Sequence, residues 1–184
     1  MYYYLHGIVT LHFDSSIVIE CSSIGYDLLV AHVEDFPIGE LQFVYVCYYS
    51  NENEQYLVGF KSLHEKELFL KLTSVKGLGP KTALNIFKVS TVDRIETAIK
   101  ENDENYLISL PSIGRKTATQ IILDLKGKLV SSSILNEKNV SLAYDGLIQL
   151  GFKDKEIKDA LNKINNKNLT VEEYISLALK EMSK

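Results

Sequence analysis

The stretch SVKGLGPKTALNIF, from Ser74 to Phe87, combines a glycine turn with a lysine at the start of a predicted helix. A similar stretch, LPSIGRKTATQII, runs from Leu110 to Ile122, and its lysine lies 35 positions after that of the first copy. The two copies share the pattern small–apolar–Gly–x–Lys–Thr–Ala. Identical residues stand at Gly79/Gly114, Lys81/Lys116, Thr82/Thr117, Ala83/Ala118 and Ile86/Ile121. Each copy therefore predicts a hairpin between two helices.

Each hairpin has the features of an anion-binding site. Glycine lets the backbone turn tightly with positive φ and approach a ligand closely. The first amides of the following helix lack intrahelical partners and carry the positive end of the helix dipole, and the lysine adds a full charge. Between the small residues, Leu78 and Ile113 are predicted to anchor the turns in the core. We therefore predict that the repeat binds phosphate through Gly77, Leu78, Gly79, Lys81, Thr82, Ser112, Ile113, Gly114, Arg115, Lys116 and Thr117.

The repeat has two alternative interpretations, a nucleotide-binding P-loop and a pair of purely structural turns. A P-loop requires G-x-x-x-x-G-K-[ST] after a strand. Here Lys81 follows Pro80, Lys116 follows Arg115, and both flanks are predicted to be helical, which argues against nucleotide binding. The glycines are also compatible with structural turns between paired helices. Two tandem copies with lysine, in the only basic third of the chain, favour phosphate binding over that alternative.

Charged residues are distributed unevenly along the 184 residues. Residues 1–60 contain eight acidic residues and no Lys or Arg, whereas residues 61–130 contain twelve basic and eight acidic residues. A nucleic-acid ligand is therefore expected to contact the middle third. The apolar runs are too short to span a bilayer, and no signal peptide is visible. With Cys21 and Cys47 at no metal-ligand spacing, the sequence indicates a cytoplasmic protein with reduced thiols.

Three regions differ in predicted secondary structure, so we expect a multidomain protein in which β structure precedes α structure. Residues 1–61 contain five short strand-like segments and predict a small barrel, with the OB type favoured and an SH3-like barrel as the alternative. Residues 62–129 predict short helices around the two hairpins, beginning at an S-x-x-E capping box at Ser62. Residues 130–139 are polar and serine-rich, which predicts a flexible linker. Residues 140–184 predict a three-helix module.

The repeated hairpins resemble tandem helix–hairpin–helix motifs, which hold the DNA backbone without reading its sequence. Ser112 occupies the place of the first glycine of that motif. If the position requires positive φ, serine is strained there by about 1 kcal/mol. The order of barrel, tandem motif, linker and three-helix module resembles the RuvA family of Holliday-junction-binding proteins. The most specific stretches are YLVGFKSLHEKELFLKL with SVKGLGPKTAL, LPSIGRKTATQIILDLKGKL, and the C-terminal LIQLGF.

The resemblance implies structure-specific binding of four-way (Holliday) junction DNA. The binding unit is expected to be a homotetramer joined through its barrels, with an octamer on DNA as the alternative. An acidic hairpin tip, the pin, is expected to lie at the junction centre. Its counterpart here is SNENEQ, in which Glu52 matches the first acidic position, Asn53 occupies the second, and Glu54 follows. We expect Glu52 and Glu54 to repel phosphates and separate strands, with an ordinary solvated turn as the alternative.

The resemblance also implies protein partners. RuvB, a ring-shaped ATP-driven motor, is expected to bind the UBA-like C-terminal module and to drive branch migration in recombination and DNA repair. The RuvC resolvase is a further expected partner. Four apolar residues of the module form either the motor-binding surface or the core of the module itself: Leu147, Leu150, Phe152 and Leu161.

The sequence shows no catalytic constellation, metal cluster or nucleotide loop. We therefore expect a non-catalytic protein that uses no cofactor or metal and does not enter a membrane. The main alternative is a DNA glycosylase or nuclease that uses the same motifs to hold its substrate, and it requires a nucleophile or a cluster of metal-binding acids. A protein-binding scaffold with purely structural glycine turns is the other alternative.

Overall fold

The chain divides into two compact units, Met1–Leu125 and Lys126–Lys184. The computed structural model describes residues 2–50, 52, 54–164 and 169–182, and for residues 130–137 it describes the backbone alone. The first unit contains the barrel and both hairpins, so it holds every residue predicted to bind phosphate.

Five strands of the first unit form a closed barrel. They are β1 (Tyr4–His12), β2 (Ser16–Cys21), β3 (Ile24–Leu29), β4 (Leu41–Ser50) and β5 (Gln55–Phe60). The strand order is β1-β2-β3-β5-β4, and β4 closes the barrel against β1. Neighbouring strands are antiparallel except β3 and β5, which are parallel. This five-stranded barrel is OB-like, as the sequence predicted, rather than the SH3-like alternative.

Alternation along the strands separates the barrel core from its surface. In β1, Leu5 and Val9 are buried while Tyr4 and Ile8 are exposed, which is the period of two expected of a strand with one buried face. The core consists of aliphatic residues and one phenylalanine: Leu5, Val9, Ile17, Ile19, Leu28, Val30, Phe36, Val44 and Val46. A short 3₁₀ turn at Val33–Asp35 precedes Phe36.

Short helices follow the barrel: α1 (Leu63–Thr73), α2 (Pro80–Phe87), α3 (Val92–Glu101), α4 (Glu104–Ser109) and the start of α5 (Arg115–Gln149). The predicted capping box at Ser62 is confirmed, because Ser62 Oγ accepts from the Glu65 amide at 3.1 Å and Glu65 Oε2 accepts from the Ser62 amide at 3.3 Å. Apolar residues at helical spacing form the buried faces: Leu68, Phe69, Leu72, Ala83, Ile86, Ile95, Ile99, Leu107, Ala118, Ile121 and Leu125.

Helix α1 is attached to the barrel by several contacts, which include a ring pair and a hydrogen bond. The rings of Phe60 and Phe69 lie 4.8 Å apart between their centroids. Lys66 is buried, and its Nζ donates a hydrogen bond to the Tyr3 carbonyl at 3.0 Å. Burial lowers the pKa of Lys66 from its ordinary value. Because α1 leads directly into the first hairpin, these contacts orient that hairpin relative to the barrel.

Helix α5 differs from the sequence prediction. We expected a helix ending at Leu129 and a flexible linker over residues 130–139, but α5 is continuous from Arg115 to Gln149. The prediction of irregular backbone in this segment is therefore wrong. The physical reason is that no Pro or Gly occurs from Lys128 to Asp145. Serine inside a helix costs only a fraction of a kcal/mol, less than about 0.7, relative to alanine.

The second unit contains three helical segments, as the sequence predicted: the last part of α5, α6 (Asp154–Asn162) and α7 (Val171–Met182). Gly151 has φ +91°, and the amide of Phe152 donates to the Leu147 carbonyl at 3.2 Å, so a left-handed glycine ends α5. Two small clusters form the core, one with Leu147, Ile157, Ala160 and Ala178, the other with Ala143, Leu169 and Tyr174.

Candidate nucleic-acid interface

The two hairpins have the same backbone hydrogen bonds. In the first, the Leu78 amide donates to the Val75 carbonyl at 3.1 Å, and the Ala83 amide donates to the Gly79 carbonyl at 2.9 Å. In the second, Ile113 donates to Leu110 at 3.2 Å, and Ala118 donates to Gly114 at 2.9 Å. Each donor and acceptor of the second hairpin lies 35 positions after its counterpart. The sequence repeat is therefore also a structural repeat.

The first small residue of each hairpin has a left-handed backbone conformation. Gly77 has φ +90° and Ser112 has φ +60°. Ser112 is therefore in a region that L residues other than glycine rarely adopt. The second, shared glycine does not need positive φ, because Gly79 is the N-cap of α2 with φ −82° and ψ 168°. The left-handed residue of each turn therefore lies two positions before the glycine that the two copies share.

In each hairpin the apolar residue of the turn is buried, whereas the glycines face open space. Leu78 and Ile113 are only 3% and 5% exposed, so the predicted anchoring of both turns is confirmed. A methyl group placed on Gly77, Gly79 or Gly114 would meet no atom within 4 Å. The space above these glycines is therefore free for a ligand to approach the backbone.

Unpaired amides and cations lie at the rim of each turn. Gly79 provides no side-chain cap to α2, so the amides of Lys81 and Thr82 have no intrahelical partner. Pro80 lacks an amide hydrogen, whereas the equivalent Arg115 has one and adds a guanidinium. The side chains of Lys81, Arg115 and Lys116 are exposed, while Thr82 and Thr117 are half-buried.

A cleft of about 470 Å³ connects the two hairpins. Its lining comes from the first turn (Lys76, Gly77) and from the first turns of α5 (Lys116, Thr117, Gln120). Lys76 and Gln120 were not predicted from the sequence. Lys76 directly precedes the first glycine turn, and this position beside a predicted anion site could have identified it as a candidate phosphate contact. The structure therefore brings residues of both copies to one positively charged cleft.

The predicted pin lies next to the first hairpin. Glu52 is exposed, and Asn53 lies outside the described residues. Glu54 was predicted to act on DNA phosphates, but its Oε2 accepts a hydrogen bond from Lys81 Nζ at 2.6 Å. The hydrogen bond to Glu54 raises the pKa of Lys81 from its ordinary value. The sequence did not predict this pair, because 27 residues separate its members.

The four apolar residues predicted for the C-terminal module have different environments. Leu147 is fully buried, and Phe152 and Leu161 pack against the same core cluster. Leu150, by contrast, is 63% exposed. For Leu147 the core assignment is therefore correct and a surface role is wrong, because its side chain is enclosed by α6 and α7 residues. Leu150 is the one member of the four that presents most of its side chain to solvent.

Within the described residues, no group of three or more His, Cys, Asp or Glu side chains is arranged to hold a metal ion. Among the helices described, none is both long enough and apolar enough to cross a bilayer. Cys21 and Cys47 are free thiols, with Cys47 buried and Cys21 half-buried, and burial raises the pKa of both.

Two protein-family models match the chain. The SAM-like helix-hairpin-helix tandem model matches residues 69–127, which contain both hairpins. The model of the RuvA C-terminal domain matches residues 143–183.

The chain is similar over nearly its whole length to several curated proteins. A protein of Pediococcus pentosaceus named Holliday junction branch migration complex subunit RuvA is 38% identical over 194 residues, with all of both chains covered. Proteins with the same name from Macrococcus caseolyticus and Acholeplasma laidlawii are each 38% identical, over 97% and 98% of this chain. The matches cover 97% and 100% of those proteins' own lengths.

Proposed function

The chain belongs to the RuvA family, and on this basis we propose that it binds four-way (Holliday) junction DNA as a non-catalytic subunit of a branch migration complex. The relatives carry that complex in their names. The observation on which the proposal rests is the cleft shared by the two hairpins, which joins Lys76 and Gly77 of one copy to Lys116 of the other.

The two hairpins are suited to bind a DNA backbone at two points. Each combines unpaired helix-start amides, a lysine and open space above its glycines. Contacts to phosphate position DNA without selecting its sequence. We infer that the two hairpins hold one arm of the junction by its backbone, and that the choice of a four-way junction comes from the arrangement of several subunits.

That arrangement is proposed to be a homotetramer formed through the barrels, or an octamer of two tetramers on one junction. The barrel has an exposed apolar face along β1 and β4, where the rings of Tyr4 and Phe43 stack 4.5 Å apart and Leu41 is exposed. Exposed apolar patches of this kind mark association surfaces. Four copies around one axis would present one pair of hairpins to each of four DNA arms.

The central pin is proposed to act by charge. Glu52 is exposed, and one residue separates it from Glu54, whose carboxylate pairs with Lys81 of the first hairpin. Carboxylates close to a crossover repel phosphates and favour an open junction. The neutral Asn53 leaves Glu52 and Glu54 as the acidic residues of this turn.

The motor contact is proposed to lie on the C-terminal module. A RuvB-type ATPase would bind residues 140–184, with Leu150 as the exposed apolar contact, and a RuvC-type resolvase would act on the same junction. This chain would thus hold the DNA while its partner supplies the ATP-driven movement during recombination and repair. The proposed location for this activity is the cytoplasm.

A gel-shift titration tests the DNA-binding part of the proposal. The full-length protein is titrated against a synthetic four-way junction and against a duplex made from the same arms. The double variant Lys81→Ala/Lys116→Ala is measured alongside a control, Lys88→Ala. The control removes an exposed lysine from the opposite end of α2. We expect the wild type to prefer the junction, the double variant to lose most of its affinity, and Lys88→Ala to keep it.

The result decides between three functions. Junction preference that depends on Lys81 and Lys116 supports the proposal. Equal, weak binding to both DNAs would leave a general helix–hairpin–helix protein and would overturn the junction assignment. The absence of DNA binding would favour a protein scaffold in which the glycine turns are structural.

A further inference from the structure

The two hairpin lysines are equivalent in sequence but not in their surroundings. Lys81 Nζ lies 2.6 Å from Glu54 Oε2, and it lies 5.5 Å from the centre of the Tyr56 ring. Lys116 is exposed, and no acidic side chain in the described part of the chain forms an ion pair with it. The first hairpin therefore has an internal partner for its lysine, whereas none of the described acidic side chains forms an ion pair with Lys116.

The partner of Lys81 is chemically similar to the proposed ligand. A carboxylate and a phosphate both present anionic oxygens that accept charge-assisted hydrogen bonds from an ammonium group. Glu54 thus holds Lys81 in the way that a DNA phosphate would hold it. An ammonium group has three donors, but its single positive charge is already neutralised in the free protein.

The pair is placed so that DNA can break it. Lys81 and Glu54 are 60% and 42% exposed, so both side chains remain hydrated. An exposed ion pair is weak, since it favours the paired state by only about 1.4- to 5-fold. A phosphate held nearby by the helix-start amides of α2 can therefore displace Glu54, whereas a deeply buried pair would withhold the lysine.

We propose that Glu54 is a built-in competitor for DNA phosphate at the first hairpin. It holds Lys81 in the free protein, releases it when a DNA backbone binds there, and takes it back when the backbone moves on. The inference rests on the proposed DNA-binding function and adds to it a role for Glu54 that acts through Lys81, in addition to any repulsion at the crossover.

The inferred exchange has a consequence for moving DNA. A phosphate at the first hairpin always has Glu54 as a competitor a few ångströms away, so its residence there is shortened. The second hairpin has no such competitor among the described residues, and it is expected to hold the backbone longer. Unequal holding at two points lets a DNA arm advance past one contact while the other retains it.

A double-mutant cycle tests the proposal. Wild type, Glu54→Gln, Lys81→Ala and Glu54→Gln/Lys81→Ala are titrated by fluorescence anisotropy against one four-way junction at several salt concentrations. We expect Glu54→Gln to tighten binding by about 1.4- to 5-fold for each first hairpin engaged. In the Lys81→Ala background the same substitution should tighten binding less, because the cation for which Glu54 competes is gone and only general repulsion by the carboxylate remains.

Salt dependence gives a second measurement. In the wild type, a phosphate that binds Lys81 replaces the carboxylate of Glu54, so the net release of ions is small. In Glu54→Gln, the full charge of Lys81 meets the phosphate. The slope of log K against log salt should therefore become steeper by up to about 0.9 for each first hairpin engaged. Glu52→Gln is the matched control, since it removes one carboxylate from the same turn.

The outcomes separate the inference from the proposed function. If the wild type binds the junction and Lys116→Ala weakens it, the proposed function stands whatever Glu54 does. The inference is then overturned if Glu54→Gln has no effect on binding. It is also overturned if Glu54→Gln tightens binding equally with and without Lys81, because general repulsion would account for that result. In that case Glu52→Gln would tighten binding as well. If the wild type binds neither the junction nor a duplex, both proposals fail.

Discussion

Ser112 and Gly77 occupy equivalent hairpin positions with left-handed backbone, at φ +60° and +90°. One position has the residue suited to that conformation and the other has an L residue whose Cβ disfavours it. Because the side chain of Ser112 is exposed, the effect of replacing it on stability should come from the backbone conformation.

Replacement of Ser112 by glycine should therefore stabilise the first unit. Relief of left-handed strain contributes about 1–2 kcal/mol, and the greater freedom of glycine in the unfolded chain offsets about 0.4–1 kcal/mol of it. We expect a net gain of roughly 0.5–1 kcal/mol by scanning calorimetry of the full chain. Gly77→Ala should shift the stability in the opposite direction. A loss of stability in Ser112→Gly would show that serine is not strained there.

Truncation of Leu78, the buried anchor of the first hairpin, should destabilise the helix–hairpin–helix motif. Leu78 is 3% exposed, and a buried Leu→Ala change costs about 2–5 kcal/mol. We expect Leu78→Ala to lower the melting temperature measured by circular dichroism and to weaken junction binding, because the turn above it loses its support. Leu123→Ala is the control, as Leu123 is 72% exposed on α5 and its truncation should change stability by less than about 0.5 kcal/mol. Equal effects of the two changes would contradict the anchoring role.

Removal of the second hairpin's lysine should reduce the salt dependence of DNA binding. Lys116 lines the cleft between the hairpins, and each phosphate contact contributes about 0.9 to the slope of log K against log salt. We expect Lys116→Ala to make that slope shallower by about 0.9 for each second hairpin engaged. Lys88→Ala should leave the slope unchanged. If Lys116→Ala leaves the slope unchanged, the DNA phosphates do not contact Lys116.

Acid should destabilise the helices of the first unit through Glu96. This buried carboxylate accepts a hydrogen bond from His64 Nε2 at 2.9 Å and one from Lys100 Nζ at 3.4 Å. Burial raises its pKa, but the His64 hydrogen bond and the charges of His64 and Lys100 outweigh burial, and the pKa is lowered. Its stabilising contribution is thus complete above the ordinary pKa of about 4.3, and it is lost as the pH falls through the lowered value.

The test is the melting temperature from pH 7 to pH 3. We expect the wild type to lose stability more steeply below about pH 4.3 than Glu96→Gln, which lacks the titrating group. Glu101→Gln removes an exposed carboxylate from the end of the same helix and should follow the wild-type curve. Parallel curves for the wild type and Glu96→Gln would exclude Glu96 as the source of acid sensitivity.

Exposed and buried leucines of the C-terminal module should affect different properties. Leu150 is 63% exposed and Leu147 is 0% exposed. We expect Leu150→Ala to leave the helical content intact and to weaken binding of a RuvB-type motor by about 5-fold or more, as for an apolar contact at an interface. Leu147→Ala should instead unfold the module. Unchanged motor affinity in Leu150→Ala, measured by surface plasmon resonance, would move the contact elsewhere on the module.

Local sequence patterns were sufficient to predict the elements and the turns. Short segments rich in Val, Ile, Tyr and Phe, separated by turn residues, predicted the strands. The Ser62 capping box is also as expected. These features depend on residues a few positions apart, so the chain encodes them locally.

Local sequence patterns gave the wrong prediction where the preferences for helix and for irregular backbone were similar in size. Serine and asparagine indicated a linker over residues 130–139, but their cost inside a helix is small and no residue there stops a helix, so α5 continues. The sequence likewise did not show which small residue of each turn has positive φ, since Gly79 is extended whereas Gly77 and Ser112 are left-handed. Glycine permits both conformations, so its presence does not show which one is used.

The sequence by itself determined the repeat, its lysines, the buried anchors and the order of barrel and helices. Only the tertiary structure decided the closure of β4 on β1, the shared cleft at Lys76 and Lys116, and the pairing of Glu54 with Lys81. These relationships join residues that are 27 or more positions apart, and they depend on how whole strands and helices pack together. No local spacing specifies that packing, because it results from the combined burial of many apolar side chains.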